Sequence, residues 1–307
     1  MPKQSCVETE RQSMKISCIY VGTCKRDYHL TQCCVASIRH WYPEIPIYLI
    51  KDLLLQDYDT SEMERAWNVS VFASQQKLLG FGWGKVEALV ATPSHRALIL
   101  DSDIVFAGPI LEAMEALDDN FVVVEEGHPL ESINRDYFPL AALAAYDPTF
   151  RFPGFVFNTG QILATTGLLT REDFAPHINL EPVPHVKQPE LFASGEQGVL
   201  NYLILKKHTE GSISLCRHSF MRWGPSPNLE QLSLSKIRKN SSYAFLVHWA
   251  GKKSPDLSEI PHGYLLLFFF WKYHQRVPWG WLKYLVRRQA QKRAAKRSHT
   301  WNSTLAK

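Results

Sequence analysis

The sequence predicts an α/β fold, in which helices flank a mostly parallel, Rossmann-like central sheet and a basic, aromatic extension follows at the C-terminus. Two observations lead to this prediction. Apolar strands alternate with segments whose apolar residues recur at helical spacing, a pattern typical of parallel sheets covered by helices. The composition, with 45% hydrophobic and 21% charged residues among 307, is that of a folded chain and excludes extensive disorder.

The first half of the chain carries the regular part of this pattern. Residues 15–23 read as a buried strand, residues 30–43 as a helix that ends at a proline, and residues 45–52 as a second strand. The alternation continues with a weaker strand over 67–74, a helix over 85–93, a strand within 96–110, a helix over 111–117 and a strand over 121–127. Ligands of such sheets bind at the carboxyl ends of the strands, so functional residues are expected there.

The second half of the chain is less regular. It contains a strand interrupted by polar residues over 154–166, a helix with an acidic first turn over 194–207, and a strand over 242–251. No repeat with a period of roughly 20–50 residues is present, which excludes solenoids and propellers. The six cysteines have no metal-ligand spacing and the N-terminus lacks the apolar segment of a secretory signal, so we expect a cytoplasmic protein.

The formal net charge of +4 is unevenly distributed along the chain. Residues 261–307 contain ten Lys or Arg and no Asp or Glu, whereas residues 1–260 carry 24 basic and 30 acidic side chains. The same C-terminal segment holds four of the nine tryptophans and the aromatic cluster FFFWKY. An acidic body and a basic, aromatic tail are expected to have different partners.

Two carboxylates follow a buried strand. Asp101 and Asp103 come directly after the apolar run at 97–100, with Ser102 between them. At this spacing both can bind one hard divalent cation, and a nucleotide diphosphate can supply further ligands. A solvated turn, or an N-cap for the helix over 111–117, is the alternative. The strand favours the cation, because two unpaired like charges beside a buried strand would be unfavourable.

Four segments resemble motifs of one enzyme family. RALILDSDIVF at 96–106 resembles the DxD strand of GT-A-fold glycosyltransferases. FNTGQIL at 157–163, GEQGVLN at 195–201 and HWAGKKSP at 248–255 resemble motifs of the retaining family 8 group, which includes glycogenin and bacterial lipopolysaccharide galactosyltransferases. The segments stand in family order. The resemblance therefore implies a GT-A fold and the transfer of a sugar from a nucleotide diphosphate donor.

The resemblance also implies a metal site and a diphosphate site. His248 would join the two aspartates as the third ligand of a Mn²⁺ or Mg²⁺ ion. A histidine that caps a strand is the alternative. Gly251 and Lys252 follow at family spacing and would contact the donor. This sequence has Lys-Lys-Ser-Pro where the family has Lys-Pro-Trp, so either Lys252 or Lys253 would bind the diphosphate oxygens as a point charge.

Three residues are assigned to catalysis by the resemblance, namely Asn158, Glu196 and Gln197. Glu196 would hydrogen-bond the donor sugar, and Gln197 would lie against the reacting carbon. The family usually has Asp where this chain has Glu196. An acid in the first turn of a helix also interacts favourably with the helix dipole in the absence of any substrate, which is the alternative for this residue.

Further donor contacts are implied along the chain: Thr23, Asp27 and Tyr28 around the nucleobase, and Lys85, Ser102 and Gln161 elsewhere on the donor. A solvated helix lysine is the alternative for Lys85. Glu125 and Glu126 end a neighbouring strand and are candidates for acceptor contact, with ordinary surface residues as the alternative.

We therefore expect a retaining, metal-dependent transferase that moves a hexose from a nucleotide diphosphate sugar, UDP-linked, to a saccharide or lipid-linked acceptor. The alternatives are an inverting transferase with Glu125 or Glu126 as general base, and a non-catalytic scaffold of the same fold. The expected division of the chain is a polar tail at 1–13, a catalytic domain at 14–260 with a donor half (14–127) and an acceptor half (128–260), and a tail at 261–307.

The tail has the features of a membrane-surface segment. In a helix, the apolar residues of 281–286 fall on one side and Lys283 and Arg287 on the other, which suits a peripheral helix on an anionic membrane surface. The tryptophans and the FFFW cluster favour the same interpretation. The run YLLLFFFW at 264–271 is too short to span a bilayer. A solvated tail and an RNA-binding tail are the alternatives, and we expect no nucleic-acid partner.

Overall fold

A computed structural model describes residues 15–80, 82–239, 243–251 and 254–305, without side chains at 228 and beyond 293. The strands in these ranges are β1 Cys18–Cys24, β2 Ile47–Asp52, β3 Ser70–Val71, β4 Arg96–Leu100, β5 Ile104–Phe106, β6 Phe121–Val124, β7 Gln161–Thr165, β8 Ile178–Asn179, β9 His185–Val186, β10 Leu215–His218, β11 Met221–Trp223 and β12 Leu246–His248.

The helices in the same ranges surround these strands. They are α1 Tyr28–Trp41, α2 Ser61–Trp67, α3 Gly84–Leu89, α4 Leu111–Glu115, α5 Leu130–Asp136, α6 Leu140–Tyr146, α7 Arg171–Phe174, α8 Glu196–Thr209, α9 Leu234–Arg238, α10 Tyr264–Gln275 and α11 Gly280–Leu305. Two short 3₁₀ turns lie at Pro227–Leu229 and Leu257–Glu259.

The central sheet has seven strands in the order β10–β6–β7–β4–β1–β2–β3. The strands β4, β1, β2 and β3 are parallel, and β7 is antiparallel to both of its neighbours, β4 and β6. Ile19, the second residue of β1, lies opposite Ile47 and Leu98, and all three are fully or almost fully buried. Strands buried on both faces read as apolar runs. The predicted fold class, a mostly parallel α/β sheet flanked by helices, is confirmed.

A smaller sheet, β11–β12–β5, completes the edge where the functional residues were expected. Strand β5 follows β4 after a three-residue turn and pairs antiparallel with β12, so that His248 lies opposite Ile104. This pairing brings the distant HWAG segment against the turn that carries the two aspartates. The register of a strand pair thus joins two parts of the site that are more than 140 residues apart in the chain.

Three predicted strands are much shorter in the structure than in the sequence prediction. The weaker strand over 67–74 is reduced to Ser70–Val71. The segment 154–166 enters the sheet only at Gln161, because the backbone groups before it are hydrogen-bonded to side chains. Asn201 accepts a hydrogen bond from the Phe157 amide and donates one to its carbonyl, and Asn158 Oδ1 accepts one from the Gly160 amide. The segment 242–251 forms a strand only at Leu246–His248.

The first part of the tail packs into the protein body. Helix α10 lies along α1 and buries Phe268, Phe269 and Phe270, each at most 6% exposed. The interpretation of the FFFW cluster as membrane-facing is therefore wrong for these phenylalanines, because they fill the core; Trp271 alone in that cluster is 44% exposed. The division of the chain at residue 260 stays a prediction.

Helix α11 turns three of its basic side chains, Lys283, Arg287 and Arg288, toward the body and several apolar ones outward. Lys283 and Arg287 pair with Glu62 on α2, and Arg288 donates a hydrogen bond of 2.8 Å to Asp256. The apolar residues on the other side of the helix are exposed; they are Trp281, Leu282, Leu285 and Val286. None of the helices in the described ranges combines the length and the apolarity needed to cross a bilayer.

Candidate active site

A cleft of about 470 Å³ opens at the carboxyl ends of β1, β2 and β4. The predicted residues that line this cleft come from six separate segments: Thr23, Asp27, Lys85, Asp101, Ser102, Asp103, Asn158, Glu196, Gln197, His248 and Gly251. The cleft therefore lies where parallel α/β sheets bind their ligands.

Asp101, Asp103 and His248 meet at the base of the cleft. Each offers one ligand atom, and these atoms lie within 4.8 Å of one another. Asp103 and His248 are 3% and 1% exposed, whereas Asp101 is half-buried. The two aspartates lie in the turn between β4 and β5, and the histidine is the last residue of β12.

His248 is held by its backbone and by an aromatic neighbour. Its carbonyl accepts a 2.7 Å hydrogen bond from the Gly224 amide, and the next amide, of Trp249, donates to the Asp103 carbonyl at 3.1 Å. Trp223 stacks on the imidazole at a centroid distance of 5.1 Å and an interplanar angle of 25°. Ring and main chain are thus fixed independently of any ligand.

The donor set fits a hard divalent cation. Neither ring nitrogen of His248 has a hydrogen-bond partner among the described residues, although both are buried. A buried imidazole without partners is unfavourable unless another group completes it. Nε2 lies 3.3 Å from Asp103 Oδ1, so the two side chains are close enough to bind the same ion. Two carboxylates and one imidazole suit Mn²⁺ or Mg²⁺.

Lys85 connects the metal-site carboxylate to the helix α8 side of the cleft. Its Nζ lies 3.1 Å from Asp101 Oδ1 and 3.4 Å from both Glu196 Oε1 and Thr159 Oγ1. Burial alone would lower the pKa of Lys85, but the two carboxylates outweigh burial and raise it. Burial raises the pKa of Glu196, and the ammonium opposes that shift. The alternative of a solvated helix lysine does not hold, because Lys85 is 5% exposed.

We predict that Lys85→Met lowers the free energy of unfolding by about 3–5 kcal/mol, because it leaves a buried carboxylate without its countercharge. Combining it with Glu196→Gln should restore much of the lost unfolding free energy, since the buried side chain at position 196 is then neutral. Urea denaturation in EDTA measures both. The control is Lys207→Met, whose partner Asp173 lies 2.9 Å away at the surface, with an expected change of about 1 kcal/mol or less. Equal losses of unfolding free energy in Lys85→Met and Lys207→Met would contradict a buried ion pair at Lys85.

Two glycines permit the close approach of the site segments. A Cβ on Gly160 would collide with His248 Cε1 and lie 2.8 Å from Asn158 Oδ1 and 2.9 Å from Asp101 Oδ2. Gly82, at φ +82°, adopts a left-handed conformation, and a Cβ there would overlap the Glu196 carboxylate. Both glycines therefore give the carboxylates and the imidazole the space they occupy.

The catalytic residues predicted on two different elements are brought together. Asn158 Nδ2 donates a 3.2 Å hydrogen bond to Gln197 Oε1, so the two amides orient each other. Asn201, one turn further along α8, is fully buried; besides its two bonds to Phe157 it donates one to the Gln197 carbonyl at 3.0 Å. The start of α8 is thereby fixed to the segment that precedes β7.

Some predicted residues lie elsewhere. Among the described residues the cleft wall includes neither Tyr28, whose ring packs edge-on against Tyr58 at 5.4 Å, nor Gln161, which is fully buried on β7. Glu125 and Glu126 also lie outside it, and Glu126 Oε2 is 3.2 Å from His128 Nε2. Lys252 and Lys253 fall outside the described residues.

Five residues with the roles described above or below were not singled out from the sequence: Asp52, Gly82, Thr159, Gly160 and Asn201. The signal for the last three was present, since they belong to the segments FNTGQIL and GEQGVLN. A polar residue within an apolar helix, such as Asn201, needs a hydrogen-bond partner when buried. Nothing local in the sequence marks Asp52.

No protein-family model and no curated protein matches this sequence. Solved structures do match. The WbbM bifunctional glycosyltransferase superposes with a TM-score of 0.57 at 11% identity, over 90% of this chain and 52% of that one. The glycosyltransferase GlyE of Streptococcus pneumoniae superposes with a TM-score of 0.52 at 13% identity, over 84% of this chain and 60% of that one.

At these identities the similarity shows the fold. The GT-A-like architecture expected from the four segments is thereby confirmed. The chain spans between about half and three fifths of the length of the two glycosyltransferase structures.

Proposed function

We propose that this chain is a retaining, metal-dependent glycosyltransferase that moves a hexose from a UDP-linked donor to a saccharide or lipid-linked acceptor. The observation that carries the proposal is the meeting of Asp101, Asp103 and His248 with Lys85 and Glu196 in one cleft. The cleft opens at the ligand-binding edge of a fold shared with two glycosyltransferases.

In this proposal Asp101, Asp103 and His248 hold a Mn²⁺ or Mg²⁺ ion. Such an ion, when bound, neutralises negative charge on a diphosphate leaving group. The non-catalytic alternative is not favoured, because a scaffold has no need for a buried imidazole that lies beside two carboxylates and whose nitrogens make no hydrogen bond within the described residues.

Thr23, Asp27, Ser102 and Gly251 are proposed to bind the nucleotide part of the donor. All four line the cleft. Thr23 is held in place, since its Oγ1 lies 2.7 Å from Thr31 Oγ1 and accepts a hydrogen bond from the Tyr58 hydroxyl at 3.0 Å. Lys252 or Lys253 keeps its proposed role as a countercharge to the diphosphate.

The proposed transfer occurs on one face of the sugar. The bond between the anomeric carbon and the phosphate oxygen breaks, the acceptor oxygen bonds to the same face of that carbon, and the acceptor proton passes to the leaving phosphate. Gln197 lies beside the reacting carbon, where its neutral amide is a poor nucleophile. Asn158 orients this amide, and Glu196, held by Lys85, accepts hydrogen bonds from sugar hydroxyls.

The inverting alternative is less well supported. Its general base would be Glu125 or Glu126, yet neither is among the residues that line the cleft, and Glu126 is paired with His128. NMR of the product anomer distinguishes the two mechanisms. Retention supports the proposal, whereas inversion, or a covalent glycosyl-enzyme trapped on Glu196, would contradict it.

A panel of nucleotide sugars tests the donor class. With Mn²⁺ present, a UDP-hexose is expected to raise the unfolding temperature of the wild-type protein more than GDP- or ADP-sugars do, because ligands stabilise the folded state that binds them. Equal effects for all nucleotides would contradict UDP specificity. No effect from any of them would contradict the proposed donor site.

We also propose that α11 lies on an anionic membrane surface. In support, Trp279, directly before α11, and Trp281 within it are 74% and 68% exposed, and Leu285 and Val286 are 50% and 58% exposed. Lys283 and Arg287 are already paired with Glu62, so the proposed contact is mainly apolar, with further basic residues of the segment 261–307 attracting the lipid headgroups.

The membrane contact predicts that Trp281→Ser combined with Leu285→Ser weakens binding to vesicles of phosphatidylserine and phosphatidylcholine at least about tenfold, since each apolar side chain contributes roughly 1.5–3 kcal/mol when buried. Vesicle co-sedimentation measures the change. The control is Leu130→Ser on α5, a 60% exposed residue far from α11 in the sequence. Unchanged binding of the double variant would exclude this surface.

A further inference from the structure

We propose that Asp52 is a positioning residue that fixes one wall of the cleft by joining two loops before any donor binds. The role assigned to that wall rests on the proposed function, whereas the joining of the loops does not. Asp52 is the last residue of β2, and its side chain lies beside the nucleotide part of the cleft.

Three backbone amides converge on a single oxygen of this residue. Asp52 Oδ1 accepts hydrogen bonds from Leu54 at 2.9 Å and from Leu79 and Gly80 at 3.1 Å. The first amide belongs to the loop that follows β2, and the other two belong to the loop that precedes α3. Hydrogen bonds to a charged acceptor are stronger than those between neutral groups. One carboxylate thus holds two loops in a fixed relation.

Other contacts also join the two loops among the described residues. The Leu53 amide donates to the Lys77 carbonyl at 3.0 Å, and Leu54 Cδ2 lies 3.4 Å from the position of a Cβ on Gly80. Leu54 and Leu55 are 43% and 63% exposed and bury little apolar surface, whereas Leu79 is 1% exposed and anchors its own loop in the core. The carboxylate adds to these contacts two hydrogen bonds that reach directly from the end of β2 to the second loop.

The residues that Asp52 holds also line the cleft: Leu54, Leu79 and Gly80. The chain continues from Gly80 to Gly82, which closely approaches the Glu196 carboxylate, and to α3, which carries Lys85. A shift of the loop would displace Gly82 from the Glu196 carboxylate and would move Lys85 on α3. We infer that Asp52 sets the position of the donor-binding wall without itself taking part in the chemistry.

Asp52→Ala and Asp52→Asn separate this role from a general effect on folding. Asparagine keeps the accepting Oδ1, and alanine removes it. We expect Asp52→Ala to raise the dissociation constant of UDP, measured by calorimetry with MnCl₂, about tenfold or more, and Asp52→Asn to raise it less than about threefold. Asp118→Ala, which changes an exposed aspartate elsewhere, is the control and should bind UDP like the wild type.

Hydrogen exchange of the Leu79 and Gly80 amides provides a measurement that needs no ligand. Both amides should exchange faster in Asp52→Ala and stay protected in Asp52→Asn. Unchanged protection in the alanine variant, or equal loss in both variants, would overturn the proposal. If the wild-type protein does not bind UDP, the proposed donor fails, while the exchange measurement still decides whether Asp52 joins the loops.

Discussion

Replacing Asp103 with alanine is expected to lower the Mn²⁺-dependent release of UDP from a UDP-hexose about a thousandfold or more. Asp103 is 3% exposed, and Nε2 of His248 lies 3.3 Å from its Oδ1. The substitution therefore removes one of the three proposed metal ligands and the neighbour of another. Removing one group that stabilises developing charge commonly lowers the rate by about two to three orders of magnitude.

The control for this variant is again Asp118→Ala, which should retain wild-type activity. Thermal unfolding in EDTA should show that Asp103→Ala remains folded, because the substitution removes a charge from a site where like charges meet. Titration with Mn²⁺ should stabilise the wild-type protein and not the variant. Equal rates of UDP release in wild type and variant would remove the assignment of the metal site.

Gly160→Ala is expected to lower the same activity about a hundredfold or more, although it replaces no polar side chain. The added methyl would collide with the His248 ring and press on Asn158 Oδ1 and Asp101 Oδ2. A displacement of about 1 Å at a catalytic constellation can cost on the order of a hundredfold in rate. Mn²⁺ affinity, followed by calorimetry, should fall along with the rate.

The matched control for this glycine is Gly127→Ala. A Cβ on Gly127 meets nothing within 4 Å, and its φ is not in the left-handed region. This variant should have the activity and the Mn²⁺ affinity of the wild type. A Gly160→Ala protein that binds Mn²⁺ as the wild type does would show that the three ligand side chains do not need the space that glycine leaves.

Much of the site could be predicted because its residues lie in local patterns. A buried strand followed by Asp101 and Asp103 already indicates the edge where ligands bind, and the polar residues of 157–163 stand out from an apolar strand. Polar side chains also explain why that strand is shorter than predicted. Asn158 in this segment and Asn201 on α8 take the backbone hydrogen bonds that a longer strand would have used.

The rest depends on contacts between distant segments. Asp52 ends an ordinary strand, and only its three amide partners reveal its role. The aromatic run 264–271 has the composition of either a membrane-surface segment or a core helix, and its packing against α1 decides for the core. The outward apolar side of α11 follows from the sequence spacing, whereas the pairing of its basic side with Glu62 requires the fold.

Metal-dependent cleavage of a UDP-sugar is the most direct test of the account. Release of UDP from a panel of UDP-hexoses should be measured with wild-type protein in MnCl₂ and in EDTA, with Asp103→Ala in parallel. We expect at least one UDP-hexose to be cleaved. EDTA should abolish the reaction, and Asp103→Ala should be inactive. Cleavage that persists at the same rate in EDTA and in the variant would contradict the account, as would no cleavage of any UDP-hexose in the presence of Mn²⁺.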